Sequence, residues 1–172
     1  MLKGSMAKPI KTRRAALEDI GPIVRLWRHM MDSHRALDAR FALDRRAEEE
    51  FAEYLRDVLE NYLHAVFVAT REEEVVGYAV VAEMENPPVF EVKRYGFVCE
   101  ICVGPEQEGQ GIGKVLFERA MRWFKRRGLT VVQLNVSPDN VRGVRFYEQL
   151  GFKPFLNILW LDLSPDPEAA DR

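Results

Sequence analysis

A glycine-rich turn is the stretch of this sequence whose residue types most directly suggest chemistry. It joins a β-rich run to an amphipathic run and reads Glu108-Gly109-Gln110-Gly111-Ile112-Gly113-Lys114. Alternating glycines remove the β-carbons that would keep a ligand away from the backbone. A strand-to-helix junction also presents free N–H groups and the positive end of the helix dipole. The pattern predicts an anion-binding cradle (residues 108–114) suited to a phosphate or pyrophosphate, with a simple tight turn as the alternative.

Two other phosphate-binding motifs fail on this turn. A P-loop would need glycine in place of Glu108 and serine or threonine in place of Val115. A dinucleotide fingerprint would need the spacing G-x-G-x-x-G and an acidic residue near the end of the next strand. This turn has the spacing G-x-G-x-G, and the next β-rich run, 130–136, contains no Asp or Glu.

A second segment, residues 140–152, combines a helix start, a helix stop and polar side chains. Asn140 is a suitable N-cap, and Gly151 is a suitable C-terminal stop. Phe146 and Leu150, four residues apart, would share the buried face of the helix. Taken alone, the segment fits structural packing as well as it fits a binding site.

The two cysteines, Cys99 and Cys102, have the C-x-x-C spacing of redox and metal motifs. A redox pair places its first sulfur at a helix N-terminus, whereas these residues lie in a β-rich run. On a regular strand, residues three apart face opposite sides. A structural zinc site would need two more ligands, and the histidines are distant in sequence. We therefore expect strand residues and no metal.

The elements that must position these residues follow from hydrophobic periodicity. Helical spacing covers the ranges 12–34, 46–61, 113–127 and 140–150. Strand-like runs cover the ranges 65–69, 75–81, 96–103, 130–136, 152–156 and 157–163. The first two strands should form a hairpin, residues 85–95 a loop, and 130–136 a buried strand suited to parallel pairing. This order predicts one α/β domain with a mixed central sheet flanked by helices.

Composition narrows the classes of function. The formal charge of −2 gives no basic field for nucleic acid or an anionic membrane. Apolar runs are shorter than a membrane span, and the N-terminus lacks a signal-peptide pattern, so we expect a cytoplasmic location. We interpret residues 1–5 as a cloning remnant, 6–163 as the domain and 164–172 as a disordered tail.

Together, the two segments resemble the GNAT N-acetyltransferase superfamily. The resemblance spans residues 96–152 and rests on spaced motifs: Val103-x-Pro105-Glu106-x-x-Gly109-x-Gly111-Ile112-Gly113, then Asn140, then Phe146-Tyr147-Glu148-x-x-Gly151-Phe152. It implies a single-domain GNAT-like fold with splayed central strands. It also implies acetyl-CoA as cosubstrate and transfer of an acetyl or acyl group to a primary amine.

Site roles follow from the resemblance position by position. Backbone groups of Ile101, Cys102 and Val103 would hold the pantetheine arm, and the cradle would wrap the pyrophosphate. Asn135 would lie where the central strands splay. The side chains of Asn140 and Tyr147 would face the CoA arm and the sulfur.

One position departs from the family pattern. The family usually has Arg or Gln where this chain has Glu108. A carboxylate beside a pyrophosphate is a contact between like charges. The sequence therefore predicts that Glu108→Gln tightens CoA binding.

The resemblance also suggests an acid and a base. Only a neutral amine attacks a thioester, and a lysine-like amine of pKa ~10.4 is about 0.04% neutral at pH 7. Glu100 matches an acidic position common in the family, but an ordinary Glu (pKa ~4.3) needs a raised pKa or a water relay to act as base. Tyr147 would then protonate the leaving thiolate.

The acceptor stays open, as does one alternative function. Small-molecule and peptide amines both fit, and a homodimer is compatible with the family. Acidic and imidazole groups that could face a cationic acceptor are Asp32, His34, Asp38, Glu85 and Glu91. The alternative is a GNAT-like domain that binds acyl-CoA as a sensor or scaffold without catalysis.

Overall fold

Five strands and four α-helices, with three short 3-10 helices, make up the regular structure in the computed structural model, which describes residues 8–163. The strands are β1 (Lys11–Arg14), β2 (His64–Arg71), β3 (Glu74–Glu85), β4 (Arg94–Val103) and β5 (Val132–Leu134). The helices are α1 (Ile20–Leu37), α2 (Ala47–Glu60), α3 (Ile112–Arg126) and α4 (Val141–Gln149). The expectations for residues 1–5 and 164–172 fall outside the described residues.

The sheet is mixed, as the sequence predicted. Its order is β1-β2-β3-β4-β5. The first four strands are antiparallel, and β5 runs parallel to β4. The predicted β2–β3 hairpin is confirmed; its two-residue turn, Glu72-Glu73, has positive φ at both positions, as a type I′ turn requires.

Two hydrophobic layers cover the sheet. On one face, α3 packs its stripe of Leu116, Ala120 and Phe124 against the strands. On the other face, α1 and α2 pack together, with Trp27 stacked on Phe51 at a centroid distance of 4.3 Å. The sheet is therefore enclosed between helices on both sides. Among the described residues, no helix is long and apolar enough to cross a membrane.

The predicted first helix began too early. Residues 11–14 form β1 against β2, and α1 begins only at Ile20. The Arg13 guanidinium on β1 donates to both carboxylate oxygens of Asp19 at 2.5 and 2.8 Å. Because Asp19 also accepts from the Ala16 N–H, the chain turns between the strand and the helix. Tertiary pairing here outweighs helical periodicity.

The C-terminal end also differs from the sequence prediction. Strand β5 is shorter than predicted and only half-buried, because it lies at the edge of the sheet. Residues 152–163, predicted as two strands, contain no strand in the structure. Their apolar composition suits a strand, but they form no ladder with β5 or with any other described strand.

A β-bulge divides β4 into two parts. Val98 pairs with Val81 and Glu100 pairs with Val80, so Cys99 is the extra residue between them. Val98 packs in the layer beneath α3, whereas Cys99 and Cys102 both pack in the layer beneath α1 and α2. The expectation that the two cysteines face opposite sides is therefore wrong, because the bulge shifts the alternation.

Candidate active site

The cradle has the backbone geometry that the glycine spacing predicted. Gly109 and Gly111 have φ values of 73° and 79°, in the left-handed region that disfavours side chains. A β-carbon at either position would meet no protein atom within 4 Å. The backbone there faces open space, which a phosphate group could fill.

Helix α3 starts directly at this open space. Its first helical hydrogen bond runs from the Val115 N–H to the Gly111 carbonyl at 3.2 Å. The preceding N–H groups, of Ile112, Gly113 and Lys114, are the ones a helix leaves without an intrahelical partner. Ile112 anchors this start, since its side chain is 1% exposed. The residues present therefore fit a pyrophosphate.

An arginine that the sequence analysis missed supports the cradle from the side. Arg71, the last residue of β2, donates to the side-chain oxygens of Gln107 and of Gln110, the latter at 2.7 Å. Gln110 also donates to the Glu106 carbonyl at 3.2 Å. No signal in the sequence links Arg71 to a loop 36 to 39 residues away.

Glu108 is paired in the structure. Its carboxylate accepts from the Arg142 guanidinium at the start of α4, so its charge is partly neutralised. A β-carbon at Gly113 would lie 3.4 Å from the Phe146 ring, which shows how closely α4 approaches the cradle. The two sequence segments that carried the family resemblance are therefore in contact.

The two central strands separate beside the cradle. Pairing of β4 with β5 ends at Val98 and Leu134, but β4 continues to Val103. Residues 99–103 consequently have no β5 partner, and this stretch includes Ile101 and Cys102. Asn135 follows the last paired residue of β5 and is exposed. The structure thus places the predicted pantetheine residues along one open strand edge.

The two predicted residues on α4 have different surroundings. Asn140 caps the helix, with its side-chain oxygen accepting from the Gly143 N–H at 2.9 Å. Tyr147 packs edge-on against Phe146 and Phe152, at centroid distances of 5.1 and 5.8 Å. Burial raises the pKa of Tyr147 to about 12, so the phenol holds its proton at neutral pH.

Glu100 lies in a different environment, beneath α1 and α2. Its carboxylate accepts a hydrogen bond of 2.8 Å from the hydroxyl of Tyr78, a fully buried residue of β3. Burial raises the pKa of Glu100 to about 7, even though the Tyr78 hydrogen bond opposes that rise. A carboxylate with this pKa can exchange a proton near neutral pH. Tyr78 was not predicted, since in sequence it is one apolar-strand residue among many.

The cysteines beside Glu100 are protonated thiols. Burial and the neighbouring Glu100 raise the pKa of Cys99 to about 11 and that of Cys102 to about 12. Redox and nucleophilic chemistry need a thiolate, which these values disfavour. Within residues 8–163, no group of three or more His, Cys, Asp or Glu side chains is arranged to hold a metal ion.

Two of the acidic residues considered for the acceptor already have cationic partners. Asp38 is held by Arg40, whose hydrogen bonds lower the pKa of that carboxyl. Asp32 lies 3.4 Å from Arg28. His34 contacts the Met30 carbonyl at 3.0 Å. Glu85 is the last residue of β3, Glu91 lies in the loop that follows, and both are exposed.

Comparison with known proteins shows the family of this chain. Residues 25–152 match the family described as the acetyltransferase (GNAT) family, so the chain belongs to that family. The chain is accordingly an acyltransferase that uses acetyl-CoA chemistry. An uncharacterized N-acetyltransferase of Archaeoglobus fulgidus is 32% identical over 138 residues, which are 80% of this chain and 89% of the relative.

Two further relatives extend the comparison. A peptidyl-lysine N-acetyltransferase, YjaB, of Salmonella typhimurium is 31% identical over 145 residues, covering 84% of this chain and 83% of the relative. A predicted acetyltransferase from Clostridium acetobutylicum, solved with acetyl-CoA, has a TM-score of 0.72 at 21% identity, covering 92% of this chain and 99% of that one. The latter similarity supports the fold.

Proposed function

We propose that this protein transfers an acetyl group from acetyl-CoA to a primary amine by direct attack within a ternary complex. The observation that carries the proposal is Glu100. This carboxylate has a pKa of about 7 and lies where β4 parts from β5, on the strand that leads to the cradle. A proton acceptor tuned to neutral pH is what an amine nucleophile needs.

The donor would be held mainly by the backbone. The open N–H groups at the start of α3 suit the pyrophosphate, and the unpaired edge of β4 at residues 101–103 suits the amide-bearing pantetheine arm. Backbone N–H groups near Val103 would stabilise the oxyanion that develops on the thioester carbonyl. Asn135 and Asn140 would lie beside the bound pantetheine arm.

Glu100 would take the proton that the attacking amine must lose. Raising its pKa from an ordinary ~4.3 to about 7 lowers the free-energy cost of taking a proton from a lysine-like ammonium by roughly 4 kcal/mol. The amine nitrogen bonds to the thioester carbon, and the C–S bond breaks as the intermediate collapses. Tyr147 would give its proton to the leaving thiolate, a role that its raised pKa suits.

A peptide lysine is the first acceptor to test, because the relative from Salmonella typhimurium is named for that substrate. Polyamines, amino acids and aminoglycosides complete the panel. The two cysteines are free thiols, as is common in a reducing compartment, which supports a cytoplasmic location. The net charge of −2 gives no electrostatic attraction for nucleic acid, so we expect no nucleic-acid partner.

The test begins with calorimetry of acetyl-CoA and CoA on the wild type and on Gly111→Asp. The substitution forces a side chain into a left-handed position and adds a negative charge, so we expect at least a hundred-fold loss of affinity. Gly128→Asp is the matched control, because Gly128 has a φ of 73° with equally open space at the far end of α3.

Turnover is then followed by release of the free thiol with each amine. Binding with turnover supports the transferase. Binding without turnover on any amine would favour the alternative, an acyl-CoA sensor or scaffold. Absence of binding in the wild type would refute both.

A further inference from the structure

Arg71 places a cationic group beside the cradle without a carboxylate partner. It is the last residue of β2, and its guanidinium donates to the side-chain oxygens of Gln107 and Gln110, the latter at 2.7 Å. Both acceptors are neutral amides, and no carboxylate within residues 8–163 forms an ion pair with Arg71. Its positive charge is therefore not neutralised by a neighbouring side chain.

The guanidinium of Arg71 also has unused hydrogen-bonding capacity. Its Nε atom is buried and has no hydrogen-bond partner in the part of the chain that the structure describes. A guanidinium carries more N–H donors than the two that the glutamines engage. Buried donors without partners are uncommon in folded proteins. Donors on this side chain thus remain for a further acceptor.

Arg71 meets the cradle at its most open point. Gln110 lies between Gly109 and Gly111, the two cradle residues with positive φ. A β-carbon at either glycine would meet no protein atom within 4 Å, so the backbone beside Gln110 faces open space. The hydrogen bond to Gln110 therefore holds the guanidinium next to the space in which a pyrophosphate would lie.

The side chains of the loop itself oppose an anionic ligand. Residues 105–114 carry two carboxylates, Glu106 and Glu108, and one ammonium, Lys114, which gives a net charge of −1. A pyrophosphate brings further negative charge to this loop. Arg142 is already paired with Glu108. A cation outside any ion pair, as Arg71 is, has more of its charge available to offset this repulsion.

We propose that Arg71 binds the pyrophosphate of CoA directly, exchanging glutamine oxygens for phosphate oxygens. Hydrogen bonds between a guanidinium and a phosphate join two charged groups, so they are stronger than those to a neutral amide. The planar guanidinium can also contact a phosphate through two donors at once. Gln107 and Gln110 hold the side chain beside the loop before the ligand arrives, which reduces the entropy lost on binding. This inference rests on the proposed function, because it concerns the acetyl donor of that reaction.

Calorimetry of CoA binding to Arg71→Gln, Arg71→Lys and Arg119→Gln tests the proposal. Arg119 on α3 is the matched control, because it is half-buried like Arg71 and its Nε is also buried without a partner among the described residues. Its guanidinium lies over the Phe67 ring, 5.5 Å from the centroid. Arg71→Gln should raise the Kd for CoA about ten-fold or more, because a charge-assisted contact is lost.

The other two variants define the cause of that loss. Arg71→Lys keeps the charge without the planar fork, so its Kd should lie within about three-fold of the wild-type value. Arg119→Gln should leave the Kd unchanged. Equal Kd values for Arg71→Gln and the wild type would overturn the proposal.

A double variant separates direct binding from ordering of the loop. Gln107→Met with Gln110→Met removes the partners of Arg71 but keeps its guanidinium. If Arg71 binds the pyrophosphate, CoA affinity should stay within about three-fold of the wild type, because the charged contact is still made. A loss as large as that of Arg71→Gln would show that Arg71 only orders the loop, which would contradict the proposal.

Dephospho-CoA identifies which phosphate Arg71 contacts. This ligand lacks the 3′-phosphate of CoA but keeps the pyrophosphate. Arg71→Gln should therefore weaken the binding of both ligands by the same factor. A loss seen with CoA alone would assign Arg71 to the 3′-phosphate and refute its contact with the pyrophosphate.

Failure of this inference can be told apart from failure of the proposed function. Wild-type protein that does not bind CoA would refute both. Wild-type protein that binds CoA as tightly as Arg71→Gln does would refute the role of Arg71 alone. With an amine that turns over, Arg71→Gln should raise KM for acetyl-CoA about ten-fold and leave kcat unchanged, because the contact is made equally before and during the reaction.

Discussion

Glu100 lies in the stretch of β4 that has no β5 partner, and the cradle follows after β4 ends, yet the two regions are built in different ways. The cradle presents backbone N–H groups held by glycines with positive φ. The cluster around Glu100, which includes Tyr78, Cys99 and Cys102, depends instead on side chains packed beneath α1 and α2. One region is an arrangement of main chain, and the other is an arrangement of functional groups.

This difference predicts how each region responds to substitution. Backbone donors are present whatever the side chain, so the cradle should tolerate change wherever glycine geometry is kept. A buried carboxylate has no substitute, because its chemistry depends on its own oxygens. The carboxylates illustrate the contrast: burial raises the pKa of Glu100 to about 7, whereas Glu108 is exposed and paired with Arg142.

The largest effect should come from Glu100→Gln. The amide keeps the shape but accepts no proton at neutral pH, so kcat/KM for the amine should fall by about 100-fold with acetyl-CoA affinity unchanged. Glu106→Gln, an exposed carboxylate beside the cradle, is the control and should retain activity. Near-normal turnover in Glu100→Gln would mean that water alone takes the proton.

A smaller loss is expected for Tyr147→Phe. Removing the phenolic proton should lower kcat about ten-fold or more, because the thiolate then leaves unprotonated, while calorimetry should give the same acetyl-CoA affinity. The deficit should shrink with an acetyl thioester of a more acidic thiol. Tyr62→Phe, at a residue that is 76% exposed, is the control. An equal loss of kcat with both thioesters would show that Tyr147 does not protonate the leaving thiolate.

Tyr78→Phe should change the pH dependence rather than the maximum rate. The lost hydrogen bond stabilises the carboxylate, so the pKa of Glu100 should rise above about 7. The acidic limb of the kcat/KM profile would move up by about one pH unit, which lowers the rate at pH 7 about five-fold and leaves the high-pH plateau intact. An unmoved profile would show that the hydrogen bond does not tune the base.

The smallest effect belongs to the cradle. Glu108→Gln removes a negative charge from the phosphate site and releases Arg142 from its ion pair, so CoA should bind about two- to five-fold more tightly. In an Arg142→Gln background, Glu108→Gln should still tighten CoA binding, because it removes the like-charge contact between Glu108 and the pyrophosphate. Weaker binding of Glu108→Gln would show that the ion pair itself orders the cradle.

The sequence predicted the cradle well because its constraints are local. Positive φ at Gly109 and Gly111, the start of α3 and the cap at Asn140 each depend on neighbours within a few residues. The parallel pairing of β5 with β4 also followed from its apolar run. These features needed no knowledge of distant contacts.

The remaining features depend on contacts between distant parts of the chain. Strand β1 exists because β2 pairs with it and Arg13 reaches Asp19. The hydrogen bond from Tyr78 to Glu100 joins the neighbouring strands β3 and β4, and Arg71 reaches the cradle from the β2–β3 hairpin. Residues 152–163 have strand-like composition but form no ladder with the strands that the structure describes. Each of these features depends on how separate segments pack together, so no local sequence pattern predicts it.

The bulge at Cys99 shifts the alternation of side chains between the two faces of β4. Val98 and Glu100 are two residues apart, which on an unbroken strand would put them on the same face, yet Val98 lies beneath α3 and Glu100 bonds to Tyr78 beneath α1 and α2. Removing the single residue Cys99 would restore the regular alternation. Val98 and Glu100 would then be adjacent, opposite Val81 and Val80, and would keep the faces that they occupy now, because neighbouring residues of a regular strand face opposite sides. Cys99 is therefore an additional side chain beside Glu100 in the layer beneath α1 and α2, and its deletion would remove packing around the proposed base without moving that base to the other face of the sheet.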